Sequence, residues 1–148
     1  MVPDKDTNTI NEYERYIRAH LTFLAHCPIM FTSAKTGQRV TGLFELINHV
    51  YQNRFTKLSN SEAKAFISQA IVKHKPTRGK GVAHPRIKYF KQVGINPPSF
   101  ELGLYQKQVD VLADSYLRFL KNLIRKHYDF TGTPVRIHVE AKKKTHTT

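Results

Sequence analysis

Seven basic side chains lie between residues 73 and 91 of this chain, with no acidic residue among them. They are Lys73, Lys75, Arg78, Lys80, Arg86, Lys88 and Lys91. Such side chains can neutralise phosphates, and the rings of Tyr89 and Phe90, which interleave with them, can stack on nucleic-acid bases. The pattern therefore favours binding of RNA. The alternative interpretations are a solvated basic surface for the lysines and core packing for Tyr89.

Residues 87–93 have the alternating character of a strand. Because successive strand residues point to opposite faces, the rings of Tyr89 and Phe90 are expected on opposite sides. Only one of the two rings would then be free to stack on a base. The expected faces are Arg86, Lys88 and Phe90 on one side and Ile87, Tyr89 and Lys91 on the other.

The basic character is concentrated in the second part of the chain. The formal net charge is +13 and the isoelectric point is near 10.0. Residues 1–58 carry seven Lys or Arg against five Asp or Glu, whereas residues 59–148 carry seventeen against six. This asymmetry predicts a polyanionic partner for the second part, most simply RNA. The alternative is a soluble domain whose basic charge is incidental.

The composition excludes several classes of protein. Hydrophobic residues make up 40% of the chain and aromatic residues 11%, which is enough for a packed core. The single cysteine allows neither an internal disulfide nor a thiolate-rich zinc site, and the eight histidines lack a metal-binding spacing. No apolar run approaches the roughly 20 residues of a membrane span, and the polar start is not that of a signal peptide. We therefore expect a cytoplasmic protein with no membrane partner and no bound metal.

The first part of the chain predicts a helix, a strand, a loop and a second helix. Apolar and aromatic residues recur at helical spacing up to Leu24, and residues 28–32 form a short apolar run typical of a buried strand. The second helix is predicted from Val40 to about Phe55, with a buried face of Val40, Leu43, Phe44, Ile47, Val50 and Tyr51. This order is that of the closing part of a doubly wound α/β domain, and it is too short to form one alone.

The second part predicts the order α-β-β-α-β. Ser59 and Glu62 have the spacing of a capping box, which opens a helix that ends before Pro76. Residues 76–85 contain two glycines and two prolines and predict a mobile loop. Strands follow at residues 87–93 and 99–105, then a helix at 113–128 and an edge strand at 135–139, with one face of the middle strand made by Phe100, Leu102 and Leu104. The predicted fold class is α+β, a three-stranded sheet with both helices on one face.

Several short stretches together carry a family resemblance. They are Ser33-Ala34-Lys35 with Thr36-Gly37, Ile87-Lys88-Tyr89 with Gln92, Pro97-Pro98-Ser99-Phe100, residues 115–120 with Asn122 and Arg125, and Phe130-Thr131-Gly132-Thr133-Pro134-Val135. In this order and spacing they resemble the C-terminal end of the Der (EngA) family of bacterial GTPases, which have two tandem G domains and a KH-like domain. The resemblance covers nearly the whole chain.

The resemblance implies three regions. Residues 1–57 would be the closing helix-strand-helix piece of a Ras-like α/β G domain, residues 58–140 a KH-like domain, and residues 141–148 a disordered basic tail. It also implies that the chain begins just after the family's Asn-Lys-x-Asp guanine motif. The sequence has no G-x-x-x-x-G-K-[ST] phosphate loop. We therefore expect neither enzymatic activity nor a cofactor for this chain itself, whereas the parent protein would hydrolyse GTP with Mg²⁺.

In a complete G domain, the Ser33-Ala34-Lys35 loop would read the guanine base. The backbone N–H groups of Ser33 and Ala34 would face guanine O6, and the aliphatic stem of Lys35 would lie along the base. These contacts do not reach the phosphates, where the catalytic interactions of a GTPase lie. We therefore expect no measurable GTP binding. Without the resemblance, Ser33 would be interpreted as the cap of a turn.

The implied partners are large-subunit ribosomal RNA and the parent protein's own G domains. A KH domain clamps RNA through a GXXG loop, but the glycine pair with similar spacing here, Gly79 and Gly81, is one residue short. Recognition of RNA shape and phosphates is expected instead, through the basic loop, the last helix and the tail. The residues concerned, besides those of the loop, are Arg118, Lys121, Arg125 and Lys126 of the last helix and Lys142–Lys144 of the tail. The alternatives are a self-sufficient basic RNA-binding protein and a protein-interaction domain.

Overall fold

The computed structural model describes residues 7–80 and 84–141. In these residues the helices are α1 (Thr7–His20), α2 (Val40–Asn53), α3 (Asn60–Lys73) and α4 (Asp114–His127), and a 3₁₀ turn lies at Thr22–Leu24. The strands are β1 (Ile87–Gly94), β2 (Ser99–Leu104) and β3 (Arg136–Glu140). Each α-helix has 14 residues, and no helix in the described part combines the length and apolar character that crossing a membrane requires.

The strands form one mixed sheet in the order β1-β2-β3. β1 runs antiparallel to β2, and β3 runs parallel to β2. A parallel neighbour requires a crossover connection, which α4 supplies. α3 packs against β1 and α4 against β3, and their buried residues belong to one core. The predicted α+β fold, with α-β-β-α-β order and both helices on one face of the sheet, is confirmed.

The core lies between the sheet and these two helices. Phe100 and Leu102 are 0% exposed and Leu104 is 2% exposed, as the alternation of β2 predicts. The ring of Phe100 stacks on that of Phe90 with centroids 5.1 Å apart, and it meets Phe130 edge-on at 6.2 Å. Each helix adds a stripe with three- and four-residue spacing, namely Ala63, Phe66, Ile67 and Ala70 from α3 and Tyr116, Leu120, Leu123 and Ile124 from α4.

The capping box of α3 is present as predicted. Ser59 Oγ accepts a hydrogen bond from the N–H of Glu62 at 3.2 Å, and Glu62 Oε2 accepts one from the N–H of Ser59 at 2.7 Å. The hydroxyl and the N–H of Ser59, as donors to this carboxylate, lower the pKa of Glu62. Because otherwise unpaired donors of the first turn are satisfied, the box defines where α3 begins.

The predicted strand at residues 28–32 is wrong, because these residues form no regular element. A strand is held by hydrogen bonds to a neighbouring strand, and the described sheet contains only β1, β2 and β3. The apolar run is therefore left without a strand to pair with.

The buried face predicted for α2 is also wrong for this chain. The helix begins at Val40 as expected, but Phe44, Ile47 and Tyr51 are 69%, 56% and 52% exposed. Among residues 9–57 the structure buries Asn53 alone, and that side chain is polar. Helical spacing identifies the apolar face of α2, but it does not show whether another element packs against that face.

The loop predicted to be mobile is anchored over its first residues. The N–H of Gly79 donates to the carbonyl of Val111 at 2.7 Å, and the N–H of Lys80 donates to that of Asp110 at 2.8 Å. A side chain at position 79 would collide with the carbonyl oxygen of Asp110. The two segments can therefore approach this closely only because residue 79 is a glycine. Residues 79 and 80 are thus bonded to the segment before α4, and mobility of the loop stays a prediction. Residues 81–83 lie outside the described part.

The strict alternation predicted for β1 is interrupted by a register shift. Ile87 pairs with Leu104, but Tyr89 pairs with Gly103, so Lys88 is an extra residue on β1. The shift puts Ile87 on the helix-covered face together with Phe90, and it leaves Tyr89 on the opposite face. The predicted grouping of Ile87 with Tyr89 is therefore wrong. We call the side of the sheet away from α3 and α4 the open face.

Candidate nucleic-acid interface

A groove runs between α3 and β1, which is the strand at one edge of the sheet. Its volume is about 590 Å³. Its lysines come from both elements, Lys64 from α3 and Lys88 and Lys91 from β1. The apolar lining includes Ile67, Ile71 and Ile87. We call this feature the α3–β1 groove, and its combination of basic side chains and apolar surface is suited to a nucleic-acid strand.

The three lysines of the groove differ in how far their charge is already paired. All three are exposed. Lys91 Nζ lies 3.1 Å from Glu101 Oε1 and 5.2 Å from the centroid of the Tyr89 ring. The structure gives neither Lys64 nor Lys88 an ion pair within residues 7–80 and 84–141. Lys64 and Lys88 are therefore the better placed to meet a phosphate.

The sequence pattern did not identify Lys64, because it lies before the acid-free basic segment 73–91. The signal that could have found it is helical spacing. Lys64 precedes Ile67, Ser68 and Ile71 by three, four and seven residues, so all four share one side of α3. That side faces β1, and Lys64 thus joins Lys88 across the groove.

The two neighbouring rings lie on opposite faces of β1, as predicted. Phe90 is 4% exposed and stacks within the core, so its ring is unavailable to RNA. Tyr89 lies on the open face with its ring against Gly103, where a side chain would collide with it. Its hydroxyl donates to Glu101 Oε1 at 2.5 Å, and this hydrogen bond is the main reason that the pKa of Tyr89 is raised to about 12. Tyr89 is therefore outside the core, but its hydroxyl and one ring face are already engaged.

The other basic residues of the run flank the segment that the structure leaves undescribed. The guanidinium of Arg86 lies 5.2 Å from the centroid of the Tyr105 ring. The backbone N–H of Arg86 donates to Gln106 Oε1 at 3.0 Å. Gly81 and Lys142–Lys144 lie outside the described residues. The remaining members, all exposed, are Lys73, Lys75, Arg78 and Lys80.

The predicted basic residues of α4 have unequal access to solvent. Arg118 is exposed and Lys121 is half-buried. Arg125 Nη1 and Nη2 donate to the carbonyls of Phe130 and Thr133, each at 2.8 Å, and burial lowers the pKa of the Arg125 guanidinium. The guanidinium of Arg125 therefore holds the loop before β3 and is less available to RNA than the exposed Arg118.

The predicted guanine-reading loop forms a closed turn. The N–H of Ser33 donates to the carbonyl of Gln38 at 3.1 Å, and Ser33 Oγ accepts from the N–H of Thr36 at 3.3 Å. Ala34 and Lys35 are exposed. In this conformation the Ser33 N–H is occupied within the chain, so a guanine base would have to displace the Gln38 carbonyl to reach it.

Residues 7–57 meet the rest of the chain at the end of α2. Asn53 Nδ2 donates to Asp129 Oδ1 at 2.9 Å, and His49 Nε2 lies 3.0 Å from Asp129 Oδ2. The N–H of Thr131 is the main cause of a lowered pKa at Asp129, with His49 and Asn53 contributing. We call these contacts the α2 joint.

Gly132 and Gln92 complete the α2 joint. The N–H of Gly132 donates to the carbonyl of His26 at 2.8 Å, and a Cβ at Gly132 would lie 2.5 Å from Val50 Cγ2. Gln92 Oε1 accepts from the N–H of Leu58 at 2.7 Å, which ties the connection after α2 to β1. The loop before β3 is thus fitted to α2 by shape as well as by hydrogen bonds.

Known proteins resemble this chain over most of its length. A family model described as the KH-domain-like C-terminal region of EngA bacterial GTPase enzymes matches residues 57–140, more than half of the chain. A protein named GTPase Der from Leuconostoc citreum is 40% identical over 140 residues, which cover 95% of this chain and 31% of that protein. A protein of the same name from Ruminiclostridium cellulolyticum is 36% identical over 95% of this chain and 32% of its own length. Another, from Protochlamydia amoebophila, is 38% identical over 86% of this chain and 26% of its own length. The chain thus spans about a third or less of these relatives.

Proposed function

Since this chain belongs to the family of KH-domain-like C-terminal regions of EngA bacterial GTPases, we propose that it is the RNA-contacting and domain-docking part of a Der-type GTPase. The parent protein would hydrolyse GTP and act in the cytoplasm in assembly of the large ribosomal subunit. This chain would contact ribosomal RNA and would dock on the parent's G domains. It would not be a catalyst itself.

The observation that carries the RNA-binding proposal is the α3–β1 groove with its exposed lysines. Lys64 and Lys88 lie on its two sides, and the basic run continues at both ends of the loop that enters β1. Phe90 is buried and the hydroxyl of Tyr89 is bonded to Glu101, so ring stacking is a minor part of the binding. Contact with phosphates and with RNA shape is therefore the mode we propose.

The docking proposal is supported by the uncovered side of α2. A second groove, of about 340 Å³, is lined there by Leu43, Ile47, Val50 and Tyr51 together with Pro28. An apolar surface of this kind is normally covered in a folded protein. We propose that residues 1–57 complete a G domain whose remaining strands cover this surface in the parent protein.

The described residues do not by themselves fit GTP and Mg²⁺. The sequence has no phosphate-binding loop of the G-x-x-x-x-G-K-[ST] type, and the Ser33 N–H is already bonded to Gln38. Within residues 7–80 and 84–141, no three His, Cys, Asp or Glu side chains are placed to hold a metal ion. We therefore assign both groups to other parts of the parent protein.

The RNA contact can be tested with the double variant Lys64→Gln/Lys88→Gln. We expect the unaltered chain to bind large-subunit ribosomal RNA with a log–log salt slope of roughly −3 to −5. Each lost phosphate contact makes this negative slope shallower by about 0.7–0.9. The slope of the double variant should therefore be shallower than that of the unaltered chain by about 1.5. Fluorescence anisotropy titrations at several salt concentrations measure both quantities.

The matched control removes the same charge elsewhere, as Lys35→Gln/Lys57→Gln, since both lysines are exposed outside the groove. This control should leave the salt slope nearly unchanged. Equal losses for the two pairs would mean that net charge, and not the groove, governs binding. A slope near zero for the unaltered chain would contradict the RNA proposal itself and leave docking as the function.

Hydrogen exchange can separate an incomplete G domain from a self-sufficient small module. Amides of α2 should exchange at least about tenfold faster than those of α3 and β2, because no buried apolar side chain holds α2. Exchange followed by mass spectrometry of peptic peptides gives this comparison directly. Equal protection of α2 and α3 would favour the self-sufficient protein instead.

A further inference from the structure

A second charged groove lies at the opposite edge of the sheet, between β3 and α4. Its volume is about 500 Å³. Leu117, Ile137 and Val139, all half-buried, contribute apolar surface, and Asp110, Asp114 and Glu140 contribute carboxylates. We call it the β3–α4 groove. Its charge is opposite to that of the α3–β1 groove.

The carboxylates of this groove stand out in a basic region. Residues 59–148 contain six Asp or Glu against seventeen Lys or Arg, and three of the six line this groove. The other three have partners elsewhere, since Glu62 caps α3, Glu101 pairs with Lys91, and Asp129 belongs to the α2 joint. The structure gives none of the three groove carboxylates a side-chain hydrogen bond or ion pair within the described residues. They are therefore available to a cationic partner.

β3 also has a regular free edge. Its five residues, Arg136–Glu140, pair with β2 in consecutive register, and no described strand lies on its other side. β1, at the opposite edge, has two register irregularities and exposed lysines, which are features that discourage a further strand. An incoming strand would therefore find continuous backbone donors and acceptors on β3.

We propose that the β3–α4 groove binds an extended basic peptide of another protein, which adds to β3 as a fourth strand. Its backbone would pair with the free edge of β3. Alternate apolar side chains would pack on Leu117, Ile137 and Val139, and alternate Lys or Arg side chains would meet Asp110 and Glu140. The chain's own Lys142–Thr148 is basic but has no apolar side chain to fill the groove, so a foreign segment is the better match. This proposal does not depend on the RNA-binding function.

The probe is a labelled synthetic peptide of eight residues that alternates valine and lysine, titrated into the full chain by fluorescence anisotropy. The variant Asp110→Asn/Glu140→Gln should weaken its binding about fivefold, as expected for two cross-strand charge pairs. Asp114 is left intact because its carboxylate also favours the N-terminus of α4. The control Glu12→Gln/Glu45→Gln removes equal charge at exposed sites outside the groove and should leave binding unchanged.

A second peptide with proline in place of the central valine distinguishes strand addition from simple charge attraction. Proline cannot donate to a ladder, so this peptide should lose most of its binding. In parallel, the parent peptide should slow hydrogen exchange at β3 and leave β1 unchanged. Equal binding of the proline peptide, or an equal loss in the control variant, would overturn the proposal. Self-association of the chain through this edge without peptide, seen by sedimentation, would also overturn it.

Discussion

Replacing Phe100 with alanine is expected to lower the free energy of unfolding by about 3–5 kcal/mol. The side chain is 0% exposed on the central strand, and its ring contacts those of Phe90 and Phe130. Removing it opens a cavity that neighbouring side chains cannot easily fill, because the strands on either side of β2 hold their own core residues in place. Urea denaturation followed by circular dichroism measures the change.

A matched substitution and a milder one keep this prediction testable. Phe44→Ala deletes the same atoms from a side chain that is 69% exposed, and it should change stability by less than about 0.5 kcal/mol. If Phe100→Ala fails to fold, Phe100→Leu should still fold with a smaller loss. A loss at Phe100 no greater than that at Phe44 would contradict the assignment of the core to residues 58–140.

Replacing Gly132 with alanine is expected to lower the free energy of unfolding by about 2–5 kcal/mol and to loosen the α2 joint. The backbone at Gly132 has a φ of +74°, which costs an alanine about 1–2 kcal/mol. The added Cβ would lie 2.5 Å from Val50 Cγ2, so either α2 or the loop must move, at about 1–3 kcal/mol. Chemical denaturation gives the total, and the amide resonance of Gly132 or its replacement reports the bond to His26.

The two contributions at Gly132 can be separated with variants of this chain. Gly37 has a similar φ of +71° with no atom near its would-be side chain, so Gly37→Ala reports the backbone cost alone. In the double variant Val50→Ala/Gly132→Ala the collision is relieved, and the two substitutions should couple favourably by about 1–2 kcal/mol. Strict additivity of the two would show that α2 does not press on this loop.

The sequence predicted residues 58–140 well because the signals there are local. Ser59 and Glu62 satisfy each other's backbone groups within one turn, so their spacing alone marks a helix start. The alternation of Phe100, Leu102 and Leu104 similarly identifies the buried face of β2. The predictions for residues 28–32 and for the face of α2 were wrong because their outcome depends on neighbours that the described chain does not provide. An amphipathic pattern shows which face of a helix is apolar, but it does not show that another element covers that face.

The candidate interface was harder to predict than the fold. A run of charges along the chain identified Lys88, but only the packing of α3 beside β1 brings Lys64 to the same groove. Arg125 matched the basic pattern of α4, yet the loop it holds together lies five to eight residues further along the chain. The face on which Ile87 lies follows from a register shift at Lys88, which no alternation rule anticipates. The sequence shows which side chains are basic or aromatic, whereas the face on which each side chain lies depends on the fold.

The absence of a side chain at Gly103 also carries information about strand alignment. A one-residue slip of β1 along β2 would exchange the two faces of the strand and expose the ring of Phe90. A two-residue slip would preserve the faces, but it would bring Tyr89 opposite Glu101 or Tyr105, whose side chains occupy the space that the ring needs. Among the open-face positions of β2, Gly103 alone leaves that space empty. The glycine at position 103 therefore selects one register of β1 on β2, because the Tyr89 ring can be accommodated only opposite a residue that has no side chain.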